Sequence, residues 1–343
     1  MAKILVIRFS AIGDVAMSIP VVYSLATQYP QHQITVLSKP NMAALFTKLP
    51  ANVSFRGIDL KGDYAGFKGL NRLFKELNVE NYDYIADFHD VLRTKYLRWR
   101  LTLKGKKTAH IDKGRKGKKA LTRPDNKIRK QQDTSFQRYA NVLKALGLPV
   151  DIRFSSIYGT SQADMIALEP IVGKKETDRW IGIAPFATHA GKIYPQEKME
   201  EVVKQLSKQP NTRIFLFGGG AKEVKILSSW ENKYPTATCI AGKLKMDAEL
   251  ALMSHLDVMV SMDSGNMHLA SLVNTPVVSV WGATHPFAGF LGWKQNERNV
   301  VQIDLPCRPC SVFGNKPCLR KDYTCLHQIT PQMIVERIEN ILS

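Results

Sequence analysis

Two short stretches of this chain carry residue types suited to phosphate and protons. The first is Asp263-Ser264-Gly265-Asn266-Met267-His268, which follows the apolar run Val258-Met259-Val260. It reads as a strand, a tight loop and the start of a short helix, closed by Pro276 before the next strand at 277–281. A helix that opens directly after a strand offers unpaired N–H groups and the positive end of its dipole. Ser264, a Gly265 without Cβ and His268 on the first turn suit a phosphate there. They equally suit an ordinary cap with a buried, satisfied histidine. The second stretch is Arg8-Phe9-Ser10-Ala11-Ile12-Gly13-Asp14, after the apolar residues 4–7. Asp14 stands where open α/β sheets place ligands and is a candidate general base. As a helix N-cap it would be just as ordinary.

The elements around these residues predict an α/β chain. Residues 3–8 form a strand, 15–29 a helix and 34–37 a second strand, a βαβ opening that implies a parallel sheet. Only Gly13 of a Gly-x-Gly-x-x-Gly motif is present, which argues against a nicotinamide or flavin site. Strand and helix patterns alternate again from Trp180, with Gly218-Gly219-Gly220 allowing close backbone approach to a ligand. The expected organisation is an N-terminal Rossmann-like domain over 1–155, a linker over 156–178, a second Rossmann-like domain over 179–328 and a C-terminal helix over 329–343 that packs back toward the N-terminal domain. Two such α/β/α domains would place a ligand in a central cleft at the strand carboxyl ends.

At 343 residues and 44% hydrophobic composition, the chain reads as a soluble two-domain protein. Arg8 and Asp14 interrupt the apolar N-terminus, so it is not read as a signal peptide, and a cytoplasmic location is expected. The net charge is +18, and residues 93–130 alone hold 16 Lys and Arg against two Asp. That segment suits a polyanion: nucleic acid, lipid headgroups or a phosphorylated substrate. It is read as a basic amphipathic helix over 93–103 followed by a flexible basic loop over 113–130. Cys307, Cys310, Cys318 and Cys325 fall in a C-x2-C-x7-C-x6-C pattern, a weak candidate for structural zinc because the second pair lacks short spacing. Arg308, Lys316 and Arg320 in that loop are candidate contacts to a phosphorylated ligand.

Four stretches together resemble the heptosyltransferases of lipopolysaccharide core synthesis, glycosyltransferase family 9. They are residues 3–14, Asp87-Phe88-His89-Asp90-Val91-Leu92-Arg93-Thr94, residues 188–195 with Lys192 shortly before Tyr194-Pro195, and Asp263–His268 followed by Trp281-Gly282-Ala283-Thr284. The resemblance implies a GT-B enzyme with an acceptor domain first and a nucleotide-sugar domain second. It implies inverting transfer of heptose from ADP-L-glycero-β-D-manno-heptose to a lipid A-type or inner-core acceptor, with no essential metal and no other cofactor.

In that frame Asp14 is the general base and Lys192 neutralises the leaving diphosphate. Thr188, Asp263, Ser264, Gly265 and His268 hold the donor. The family places a ribose-binding glutamate where Lys222 stands here, so Glu223 is the candidate. Ser10, Arg93, Arg98 and Arg123 are the candidate acceptor contacts, and an anionic glycolipid acceptor implies peripheral contact with the cytoplasmic face of the inner membrane. Other readings are a family member using another nucleotide sugar, a GT-B epimerase, and a basic nucleic-acid-binding protein. The last lacks a helix-turn-helix or RNA-binding signature, so no nucleic-acid partner is expected.

Overall fold

The computed structural model describes every residue from Met1 to Ser343 and divides into two compact units, Met1–Lys113 with Asp133–Ile157, and Gly114–Gln132 with Tyr158–Ser343. The first unit holds a five-stranded parallel sheet of β1 (Lys3–Ile7), β2 (Gln33–Ser38), β3 (Val53–Gly57), β4 (Tyr84–Asp87) and β5 (Lys107–His110), in the order β3-β2-β1-β4-β5. β1 is apolar and buried from its second residue on, as a central parallel strand covered on both faces must be. Leu5, Ile7 and Ile85 pack with Leu70, Leu73, Phe74 and Leu77 of helix Gly66–Glu80 and with Leu97 and Leu101 of helix Leu92–Thr102.

The second unit repeats the plan with six parallel strands: β6 (Arg179–Ala184), β7 (Thr212–Leu216), β8 (Ala237–Cys239), β9 (Val258–Met262), β10 (Val277–Val280) and β11 (Val300–Val301). Their order is β11-β10-β9-β6-β7-β8. In both sheets the winding reverses direction beside the first strand, between β1 and β4 and between β6 and β9. Such a switch point opens a crevice at the strand carboxyl ends.

Three expectations need revision. The helix expected over 15–29 is two helices, Ile12–Ala16 and Ile19–Gln28, because Pro20 has no N–H for the interior of a helix and sits instead in the first turn of the second. The basic loop contains the helix Arg115–Thr122 and is docked within the second unit. There Lys118 Nζ lies 4.2 Å from the Phe290 ring centroid, and Lys127 Nζ donates to the Pro309 carbonyl at 3.1 Å. Arg129 pairs with Asp304 at 3.1 Å, and Gln132 N donates to the Phe287 carbonyl at 2.9 Å. These cations are spent on carbonyls, a ring and a carboxylate, so the segment interrupts the continuous first domain expected over 1–155. The span expected as a linker over 156–178 belongs to the second unit beyond Ile157, with Val172 fully buried. In the final helix Pro331–Leu342, Ile334, Val335 and Ile338 join the apolar core of the second unit under β9 and β10.

Candidate active site

In the first unit, the loop after β1 carries Asp14 to the β1/β4 switch point. Asp14 is the third residue of helix Ile12–Ala16, not its cap. Its Oδ2 accepts from Ala11 N at 3.2 Å and pairs with Arg8 Nη2 at 2.7 Å. Both contacts fall on one oxygen, which leaves Oδ1 open on a side chain 32% exposed. Arg8 is itself buried and fixed, donating Nη1 to the Phe88 carbonyl at 2.7 Å. Tyr139 lies under this arrangement, stacked on Phe88 and donating its hydroxyl to the Asp14 carbonyl at 3.1 Å. A carboxylate clamped on one oxygen and free on the other is placed to accept a proton.

The turn after β4 lies beside it. Asp87, fully buried, accepts from His89 N at 2.9 Å and Asp90 N at 2.8 Å. Arg98 closes that turn by reaching Asp87 Oδ2 at 2.6 Å and Asp90 Oδ1 at 3.2 Å. Its guanidinium is therefore committed to the fold, which corrects its expected acceptor role. Arg93 is exposed with no partner, Ser10 is half-buried with none, and Arg123 lies in the second unit with Nε on the Asn126 carbonyl. His89, which the sequence reading passed over, presents its ring beside Phe9, whose N–H donates to His89 Nδ1 at 3.4 Å.

In the second unit, Lys192 after β6 and Asp263 after β9 meet at the other switch point. Lys192 Nζ lies 2.9 Å from Asp263 Oδ2. Gly314, at φ +73°, lies over the lysine stem, where an added Cβ would come within 2.7 Å of Lys192 Cγ. Ser264 occupies the cap position of helix Gly265–Leu272 but makes no side-chain capping bond; its hydroxyl faces Ser261 Oγ at 3.2 Å. The first turn of that helix thus lacks a side-chain cap, the condition an anion site needs. His268 is buried one turn in, and Thr188 is exposed with its hydroxyl uncommitted. Glu223 turns back so that its Oε2 accepts from Gly219 N at 2.7 Å, shaping the Gly218–Gly220 loop.

The cysteine loop serves this unit differently from expectation. All the cysteines are free thiols, and no group of three or more His, Cys, Asp or Glu side chains is placed to hold a metal ion. Cys325 lies in the apolar core, where burial pushes its thiol up to about 11. Arg308, a candidate ligand contact from sequence, is 2% exposed and donates to the carbonyls of Gly282, Trp281 and Thr284 and to Gln302. It pins the 281–284 loop, while Gly191 N donates to the Gly314 carbonyl at 3.3 Å and Ala283 N to the Gly191 carbonyl at 2.8 Å.

The chain can now be compared with known proteins. The sequence profile of glycosyltransferase family 9 (heptosyltransferase) matches residues 70–319. The chain belongs to that family. Lipopolysaccharide heptosyltransferase 3 of Escherichia coli K12 is 25% identical over 302 residues, covering 85% of this chain and 84% of its own. Among solved structures, the family 9 glycosyl transferase of Veillonella parvula DSM 2008 gives a TM-score of 0.73 at 20% identity, covering 99% of this chain and 97% of that one. E. coli ADP-heptose LPS heptosyltransferase II gives 0.69 at 21% identity, covering 99% and 98%. This family 9 glycosyltransferase therefore has the GT-B fold, with a Rossmann-like sheet in each unit.

Proposed function

We propose that this glycosyltransferase transfers heptose, with inversion, from ADP-L-glycero-β-D-manno-heptose to the inner core or lipid A region of a lipopolysaccharide acceptor. One observation carries the reading. Each sheet brings its functional side chains to its own switch point: a half-open carboxylate in one, and a lysine beside an uncapped helix start in the other. The family membership and the names of the E. coli relatives supply heptose, ADP and the lipopolysaccharide acceptor.

In the proposed step, Asp14 Oδ1 takes the proton of the acceptor hydroxyl while its oxygen attacks the anomeric carbon. The bond from that carbon to the diphosphate breaks, and the electron pair leaves with ADP. Lys192 and the N–H groups of Gly265 and its neighbours meet the charge that grows on the phosphate, in place of a divalent cation. Thr188 binds the same phosphates. His268 positions the donor, and Glu223 Oε1, the oxygen not held by Gly219, faces the ribose.

A glycolipid acceptor brings the enzyme to the cytoplasmic face of the inner membrane. Helix Leu92–Thr102 and the residue after it supply a face for that contact: Leu92, Trp99 and Leu103 are 87%, 59% and 65% exposed, among the exposed cations Arg93, Lys95 and Lys104. Such a mixture of apolar and basic side chains suits anionic headgroups. No helix is long and apolar enough to cross a membrane.

The test is thermal denaturation against ADP, UDP and GDP species, followed by transfer assays with ADP-heptose and heptose-free, Kdo-bearing lipid A. Selective stabilisation by ADP species and heptosylated product are expected. Stabilisation by UDP or GDP species instead would overturn the donor, and sugar epimerisation without acceptor would overturn the reaction class.

A further inference from the structure

The carboxyl edge of the first sheet carries more chemistry than its general base. β2, β1 and β4 lie side by side, and the residues that follow them are Lys39, the 8–14 loop and His89. Side chains tie these three ends together. Ser38 Oγ donates to the Arg8 carbonyl at 2.6 Å on one side, and Phe9 N donates to His89 Nδ1 at 3.4 Å on the other. Most polar groups here are already engaged: Arg8 by Asp14 and Phe88, Lys95 by Asp90, Lys113 by the Asp90 carbonyl. Asp14 Oδ1, the Ser10 hydroxyl, the Lys39 ammonium and His89 Nε2 are not engaged.

The state of His89 follows from its partner. A backbone N–H can only donate, so Nδ1 must accept, and the neutral ring carries its proton on Nε2. Burial, with the positive charges of Arg8, Lys113 and Lys39 and against the opposing charge of Asp14, pushes the imidazole down to about 3. The ring is therefore a fixed neutral donor across the working pH range.

We propose that His89 and Lys39 form, with Asp14, the acceptor subsite, one that takes a sugar hydroxyl flanked by a second oxygen and by an anionic group. The reacting hydroxyl donates to Asp14 Oδ1. A neighbouring acceptor oxygen takes the hydrogen bond from His89 Nε2. Lys39 pairs with a carboxylate or phosphate close to that hydroxyl, as a partly exposed, unpartnered ammonium can. This assignment rests on the proposed transfer reaction and replaces Arg98 and Arg123 as acceptor contacts.

The test is titration of acceptor into the full-length enzyme without donor, so that it does not depend on which nucleotide sugar is used. The probes are heptose-free, Kdo-bearing lipid A, the same molecule with its sugar carboxylates methyl-esterified, and the same molecule dephosphorylated. His89→Phe is expected to weaken acceptor binding at least tenfold, while His89→Gln, which restores an N–H near the Nε2 position, stays within about threefold of wild type. Both variants should bind ADP as wild type does, which confirms their folding. Lys39→Met should weaken binding of the native acceptor about tenfold and should not weaken it for the one neutralised form that lacks its partner, which identifies that partner as carboxylate or phosphate.

Equal losses in His89→Gln and His89→Phe, unchanged affinity in His89→Phe, or a Lys39→Met loss of the same size for all three acceptors would each overturn the subsite. Lack of acceptor binding by the wild type would overturn it as well. Failure of ADP-heptose turnover, by contrast, would strike only the donor reading.

Discussion

Lys192 Nζ stands 2.9 Å from Asp263 Oδ2, and the two side chains are only 14% and 4% exposed. Two strands that are neighbours in space and far apart in sequence deliver them, β6 through the 188–193 loop and β9 through its last turn. Before any donor arrives, the carboxylate therefore supplies the negative charge that the diphosphate would later bring. Removing it leaves a largely buried ammonium without compensation. Asp263→Ala is expected to destabilise the fold by about 3 kcal/mol, from the cost of an unpaired buried charge. Saturating ADP should recover part of that loss. Thermal melts with and without ADP measure both; a variant that melts like wild type would show the pair to be immaterial to folding.

Lys192→Met tests the other partner. The charge it meets grows as the leaving group departs, so kcat/KM should fall about 100- to 1,000-fold, with kcat falling along with donor affinity. A change confined to KM would make Lys192 a ground-state contact only.

For Asp14 the two oxygens have separate duties. Oδ2 is occupied by Arg8 and Ala11 N, and Oδ1 is open. Asp14→Asn keeps the size of the side chain but removes the group that accepts the proton. Turnover should drop about 100- to 10,000-fold with ADP affinity retained. Steady-state rates alongside ADP titration separate the two, and near-normal turnover would assign the base elsewhere.

Asp14 and Asp263 could be placed at strand carboxyl ends from sequence because each follows an apolar strand run, and that is where parallel sheets open, whereas Lys192, eight residues beyond β6, is singled out only by the resemblance of residues 188–195 to the family. Their partners could not be read. Arg8 belongs to the same short stretch as Asp14, yet nothing in RFSAIGD says that the arginine holds the carboxylate by one oxygen. Arg98 is a candidate acceptor contact from sequence because it lies in a run of cations. Only the fold of the turn between β4 and helix Leu92–Thr102 shows that buried Asp87 sits within its reach. The basic segment misled for the same reason. Charge composition predicts solvation, whereas Lys118, Lys127 and Arg129 find a ring, a carbonyl and a carboxylate far away in sequence.

That correction at Arg98 is itself testable. Truncating it strands Asp87, which is fully buried, so Arg98→Ala should cost about 3 kcal/mol of stability or more. Denaturant midpoints measure the loss. Unchanged stability together with a raised KM for acceptor would return Arg98 to the acceptor site.

Glu249 sets a pH dependence of stability that has nothing to do with the reaction. It lies half-buried on helix Met246–Met253, its carboxyl makes no hydrogen bond or ion pair, and burial pushes that carboxyl up from 4.5 to about 7. The unfolded chain releases this proton near 4.5, while the folded chain keeps it to about 7. Between those values the folded state binds more protons, so stability falls as pH rises: the contribution is complete below 4.5 and lost above about 7. Glu249→Gln cannot ionise. Its advantage over wild type should be small at acid pH, grow through that window and then level off. Urea midpoints of the two proteins between pH 4.5 and 8 follow the divergence. Curves that run parallel throughout would mean that the carboxyl is solvated and titrates as in the unfolded chain.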